Sequence, residues 1–155
     1  MEIKYLASHP EFKKTVADWL YAEFVKDIRR GISYDQLLTA VSRCNKYSPP
    51  IKLIALYDGV CAGTVSLVKN DLSFRDYEPW LASLYVDPKY RGNKIAEQLI
   101  ERVKDISRGL GYKELYLRTE FAGEYYRKRG WTFVESCICE YKLKTEVFKV
   151  SLDNM

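Results

Sequence analysis

No apolar run in the sequence approaches the roughly 20 residues that a membrane-spanning helix needs. The N-terminus, MEIKYLASHPEF, lacks the basic then apolar layout of a secretory signal. Both absences lead to the expectation of a cytoplasmic protein with no membrane partner. Histidine is almost missing as well. The one copy, His9, precedes Pro10 in an N-terminal turn and reads as a surface residue, so a covalent cysteine mechanism has little from which to build its base. Of the four cysteines, Cys44, Cys61, Cys137 and Cys139, only the last two are close, and no second cluster or histidine pair completes a zinc site. No metal is expected, and the cysteines read as buried free thiols. The chain also lacks a Gly-Lys-Ser/Thr phosphate loop and the three glycines of a dinucleotide fingerprint, which excludes two common nucleotide-binding designs.

What is present suits one soluble domain spanning residues 1–155. A chain of this length buries roughly 70% of its unfolded surface, enough for a single core. The 25 basic and 21 acidic residues are intermixed, whereas a nucleic-acid binder clusters its cations, so no nucleic-acid partner is expected. The basic surplus includes Lys89, Arg91 and Lys94 within six positions, which suggests a local anionic ligand.

Hydrophobic spacing sets the element order. Phe12, Val16, Trp19, Leu20, Phe24 and Ile28 recur at intervals of three and four and predict a helix that Gly31 ends; a second helix covers about Tyr34 to Arg43. Pro49 and Pro50 forbid more helix. IKLIALY and VCAGTVSLV are strands joined by Asp58-Gly59, a dipeptide suited to a type I′ turn, and so predict a hairpin. A strand from Trp80 to Val86 precedes a helix with Ile95, Leu99, Val103, Ile106 and Leu110 on one stripe. A strand from Glu114 to Thr119, a short helix from Ala122 to Lys128, and strands over Trp131 to Cys139 and Val147 to Leu152 complete the chain. This order predicts an α/β fold with a mixed sheet and a parallel crossover in the second half.

The segment Arg91-Gly92-Asn93-Lys94-Ile95-Ala96 opens the long helix without a carboxylate. A helix N-terminus has unpaired amides and roughly half a positive charge, and a phosphate satisfies both. Gly92 permits a tight turn, Arg91 and Lys94 add cationic charge, and small Ala96 lets the first helical turn sit near a neighbouring strand.

The run LASLYVDPKYRGNKIAEQLI, Leu81 to Ile100, resembles the acetyl-CoA-binding motif of the GNAT superfamily of N-acetyltransferases, in which Val-Asp-Pro is followed by Arg/Gln-x-x-Gly-x-Gly/Ala and a helix. Arg91 and Ala96 match its ends, while Lys94 stands where the family usually has glycine. Helical dihedrals do not require glycine, so the Lys94 amide is expected to stay available. Downstream, EYYRKRGW resembles the family's second signature. The resemblance implies a mostly antiparallel sheet of six to seven strands with a splayed parallel pair and about four helices. It implies acetyl-CoA as acyl donor, with Leu84, Tyr85 and Val86 pairing with the pantetheine arm and Arg91, Gly92, Asn93, Lys94, Ile95 and Ala96 around the pyrophosphate.

The same resemblance implies direct transfer to a primary amine of a small molecule or peptide, with Tyr126 protonating the departing thiolate and a backbone amide near Val86 holding the oxyanion. Tyr125 lies about 100° away around the helix and cannot share that role. Glu78 and Glu120, near strand ends, are candidate bases for an amine of pKa near 10, and equally ordinary solvated loop residues. Thr119 either orients ligand or finishes a strand; Trp80 and Tyr85 either line the acceptor site or pack in the core. Asp71, Asp76 and Glu78 suggest a cationic acceptor. An acyl-CoA-binding regulator without turnover is the alternative function, and a monomer and a homodimer are both compatible with the sequence.

Overall fold

The computed structural model describes residues 1–29 and 31–153. Seven strands form one sheet in the order β1-β2-β3-β4-β5-β7-β6. They are β1 (Glu2–Tyr5), β2 (Ile51–Tyr57), β3 (Val60–Val68), β4 (Trp80–Val86), β5 (Glu114–Thr119), β6 (Thr132–Ile138) and β7 (Lys144–Ser151). Four α-helices accompany them among the described residues: α1 (Lys13–Leu20), α2 (Tyr34–Ser42), α3 (Ile95–Gly109) and α4 (Gly123–Arg127). Every ladder is antiparallel except β4 with β5. This is the mixed sheet that the sequence predicts.

The apolar residues of β2 and β3 alternate between two buried faces. Leu53, Ala55, Val65 and Leu67 pack with Ile95, Leu99 and Val103 of α3, while Ile54 and Cys61 pack with Val16, Leu20 and Val41 of α1 and α2. At the hairpin, Asp58 and Gly59 both take positive φ, 51° and 79°, as a type I′ turn requires. Gly63 has a different reason to be glycine. A Cβ there would lie 3.1 Å from the Tyr85 carbonyl oxygen and 3.2 Å from Ile95, so its absence brings α3 close to the sheet.

The expected first helix is modified. α1 gives way after Leu20 to a wider turn, Tyr21–Val25, in which the Lys26 amide donates to the Tyr21 carbonyl five residues back at 2.8 Å. Such widened turns are frequent at functional sites, and this one borders a cavity. Arg30, next to the predicted stop at Gly31, lies outside the described residues. The thiols also differ from expectation: Cys61 and Cys139 are buried, but Cys44 and Cys137 are half-buried.

The parallel pair decides where a ligand fits. β4 and β5 pair at Trp80 and Tyr116, with no later pair among the described residues. Trp80 is fully buried, and Tyr77 stacks on Tyr116 at 5.0 Å and on Trp80 at 6.2 Å, which holds the closed end of the splay. The Tyr77 hydroxyl donates to Glu135 at 2.7 Å, and Arg75 grips the same carboxylate with two bonds at 2.7 and 2.8 Å. The guanidinium and then the phenol hold the Glu135 carboxyl down at about 2. The loop before β4 is thereby tied to edge strand β6.

Candidate active site

At its open end the splay is flanked by two cavities, each of about 380 Å³. The first lies between α1, α2 and the sheet, and reaches through the splay to Tyr126. The second is formed by Val86, Arg91, Gly92, the residues from Lys94 to Glu97, and Tyr125. The neighbouring tyrosines of α4 thus serve different spaces, as their angular separation requires.

Tyr126 is 8% exposed and meets Tyr125 edge-on at 5.1 Å and Trp131 edge-on at 5.8 Å. Burial, helped by neighbouring Tyr125, pushes its phenol up to about 12. It is therefore protonated at every pH at which the fold is expected to work. Tyr125 is covered from outside by the Arg129 guanidinium, 3.7 Å from its ring centre.

β4 carries an irregularity beside the first cavity. Thr64 pairs with Tyr85 and Ser66 with Ala82, so β4 has one residue more than β3 in this interval. Ser83 absorbs it at φ 54°. A bulge leaves a residue outside the ladder and re-aims its neighbours, and both Ser83 and Leu84 line the cavity. Val86 lies instead at the second cavity, where its carbonyl accepts from Arg91 Nε at 3.1 Å. Tyr85 turns toward the helices, 5.4 Å from Trp19, and packs with the apolar cluster there.

The loop before α3 is built by its own polar groups. Asp87 accepts from the Lys89 amide at 3.0 Å, and Asn93 donates to the Tyr90 carbonyl at 2.9 Å. Asn93 is thereby a loop-forming residue, while Arg91, Gly92, Lys94, Ile95 and Ala96 line the cavity. Lys94, the residue before the first turn of α3, makes no side-chain cap to it, which leaves amides of that turn for a ligand. Glu97, the acid of that turn, lies 3.5 Å from Arg129 and has its charge balanced there.

Lys94 departs from the sequence reading. It is not helical but left-handed, at φ 59° and ψ 26°. A residue with a Cβ costs about 1–2 kcal/mol in this region, which is a physical reason for glycine at such a position. Lys94→Gly should relieve that strain while adding freedom to the unfolded chain, a cost of about 0.4–1 kcal/mol. The expected result is a stability change within about 1 kcal/mol by urea denaturation. Acetyl-CoA binding by calorimetry should be retained, weakened less than about tenfold. Total loss of binding would make the lysine an obligatory phosphate ligand.

Of the remaining expected residues, Thr119 and Glu120 line the first cavity. Thr119 Oγ1 accepts from the Ala122 amide at 2.9 Å and shapes the turn into α4, while Glu120 accepts from Thr145 at 2.6 Å. Two others fall elsewhere. Trp80 packs in the aromatic stack, with its indole donating to the Tyr77 carbonyl, and Glu78 is exposed on the preceding loop; neither lines a described cavity. Asp76 is likewise exposed and absent from these linings.

A model of the acetyltransferase (GNAT) family matches residues 13–131, from α1 through the Gly-Trp that follows α4. The chain belongs to the GNAT acetyltransferase family. An amino-acid acetyltransferase of Pseudomonas aeruginosa is 39% identical over 51 residues, which make up 33% of this GNAT chain and 12% of that relative. The match thus spans about an eighth of the length of such curated relatives. The fold is also that of an aminoglycoside 6′-N-acetyltransferase complexed with coenzyme A, with a TM-score of 0.78 at 16% identity over 100% of this chain and 99% of that one. A putative acetyltransferase of Salmonella typhimurium with its cofactor acetyl-CoA gives 0.69 at 16% identity, over 100% and 95% of the two chains.

Among the polar residues of the first cavity, sequence reading missed Glu23, Arg29, Lys52 and Arg118, whereas Asp71, also there, was singled out with Asp76 and Glu78 as suggesting a cationic acceptor. Burial pushes the Asp71 carboxyl above the usual range, against the pull of Arg118 3.4 Å away. A signal for Lys52 was available: it is the one charge in the strand IKLIALY.

Proposed function

We propose that this GNAT domain transfers the acetyl group of acetyl-CoA directly to a primary amine of a small molecule or peptide, with Tyr126 as general acid. The observation that carries the reading is the first cavity, which joins Tyr126 to the space beneath α1 and α2 through the splay. Acetyl-CoA enters from one side and the acceptor from the other. The pyrophosphate lies on the uncapped amides of α3 beside Arg91, and the pantetheine arm follows the unpaired edge of β4.

A neutral amine attacks the thioester carbonyl. Its oxygen takes negative charge and is held by a backbone amide of the bulge at Ser83 and Leu84, which replaces the amide near Val86 expected from the sequence. As the carbon–sulfur bond breaks, Tyr126 donates to the thiolate. The acidic ammonium of the adduct supplies the balancing proton, directly or through water. Glu120 is the base candidate that lines the cavity, and Glu78 has no such position. The similar amino-acid acetyltransferase and aminoglycoside 6′-N-acetyltransferase agree with an amine acceptor.

The test is thiol release from acetyl-CoA in the presence of a broad amine panel. Amine-dependent release with an N-acetylated product is expected. Tight acetyl-CoA binding with no release for any amine would instead favour the silent binding module.

A further inference from the structure

The first cavity holds three acids, Glu23, Asp71 and Glu120, and three cations, Arg29, Lys52 and Arg118. Most are already engaged. Arg118 lies between Asp71 at 3.4 Å and Glu140 at 3.2 Å, Glu120 accepts from Thr145, and Arg29 stacks over Tyr141 at 5.1 Å. Lys52 differs. It is 9% exposed, and its ammonium donates to a neutral partner, Ser66 Oγ, at 2.8 Å. Among the described residues no carboxylate lies within ion-pair distance of it.

Register explains how an apolar strand carries this lysine to the acceptor side. Lys52 pairs with Ser66, and Ser66 pairs with Ala82, so the three side chains form a row across one face of β2, β3 and β4. Ala82 immediately precedes the bulge. The ammonium thus lies on the order of 5–10 Å from the bulge, from the roughly 4.8 Å spacing of strands and 3.3 Å rise per residue.

We infer that Lys52 is a specificity-determining residue, the anchor for a carboxylate on the acceptor, so that the substrate class is a small amino carboxylate with its amine at the splay. This deepens the acetyl-transfer reading and rests on it. A buried cation is costly when the nearby acid, Asp71, is engaged by Arg118 and no carboxylate reaches ion-pair distance, and a carboxylate of the acceptor would supply both the charge and an acceptor for the ammonium protons left over by Ser66. Burial lowers the lysine's proton affinity, against the opposing influence of Cys44 and Asp71, and a carboxylate bound beside it would raise that affinity.

The test pairs 4-aminobutanoate with 4-aminobutanamide, which differ in the anionic end alone. Titrated into the coenzyme A complex, the carboxylate should bind wild-type protein at least about 30-fold more tightly than the amide, and Lys52→Met should erase that preference. Lys52→Arg should keep part of it. Equal binding of the two compounds by wild type, or an unaltered preference in Lys52→Met, overturns the inference. The methionine variant removes a buried charge and should fold, as unchanged coenzyme A affinity would verify; if it does not, Ser66→Ala, which releases the ammonium, should weaken carboxylate binding and spare the amide. An acetyl group found on Lys52 by peptide mass spectrometry would also overturn the inference, because the lysine would then be an acceptor itself. Turnover is read separately with the same pair. Carboxylate-selective binding without thiol release defeats the transfer reading alone, whereas amine acetylation indifferent to the carboxylate defeats the anchor alone.

Discussion

Tyr126→Phe should lower kcat by about 100-fold or more while leaving acetyl-CoA affinity within about twofold, because a positioned general acid contributes roughly 10²–10⁴-fold to a rate. The substitution removes one hydroxyl and keeps the ring that packs against Tyr125, Trp131 and Phe148. A loss of turnover therefore cannot be assigned to lost packing. The phenol's position at about 12 sets the form of the effect. Against a thiol of ordinary pKa near 8.5, complete transfer from such a phenol is uphill. As the proposed general acid it would contribute a hydrogen bond that strengthens as charge develops on sulfur, completed when the adduct ammonium returns a proton. In stopped or steady-state assays, wild-type kcat should show no loss from this group below about pH 11, since a phenol at about 12 remains protonated there.

Stability supplies an independent reading of the same group. A tyrosine raised from its ordinary value near 10 stabilises the fold fully below pH 10, and that contribution is lost as pH rises through about 12. Tyr126→Phe should remove this alkaline component from the pH dependence of unfolding. Unchanged kcat combined with a lost alkaline component would leave Tyr126 as a packing residue only.

The contrast between what sequence spacing revealed and what it hid has a physical origin. Asp58-Gly59 is legible because its conformation depends on two adjacent residues, and the stripe from Ile95 to Val103 is legible because helix periodicity is local. The bulge at Ser83 is invisible to such reasoning: it arises from a mismatch of count between β4 and β3, strands separated by a long loop. Trp80 was ambiguous for a similar reason. Its role at the closed end of the splay depends on Tyr77 and Tyr116, and only the folded sheet brings the latter alongside. Lys94 was misread because helix propensity describes residues inside a helix, whereas this residue sits at the left-handed entry to one. The place of Tyr126 in the lining of the first cavity was signalled only by the family signature around it, one tyrosine among 13. Lys52 required register, since its neighbours Ser66 and Ala82 lie on other strands.

A single carboxylate at the start of α3 should separate helix stability from cofactor binding by moving them in opposite directions. In Ala96→Asp the new acid occupies the second position of the first turn, where an anion interacts with the unpaired amides and the helix dipole for about 0.3–1 kcal/mol. Thermal unfolding without ligand should occur at an unchanged or slightly higher temperature. The same amides are those assigned to the pyrophosphate, and Ala96 lines that cavity. A like charge about 5 Å from a phosphate costs about 3 kcal/mol at an effective dielectric near 20, so acetyl-CoA affinity should fall by at least about 100-fold. Native Glu97 does not pre-empt this effect, because Arg129 lies 3.5 Å from its carboxylate. Ala96→Asn, similar in shape and neutral, should bind far more tightly than Ala96→Asp, and the gap between the two should narrow as salt is raised. Equal affinities for the two variants at low salt would remove the α3 N-terminus from pyrophosphate recognition. A stable aspartate variant with weak binding would tie the absence of acids from Arg91 to Ala96 to that ligand, since the helix itself would tolerate one.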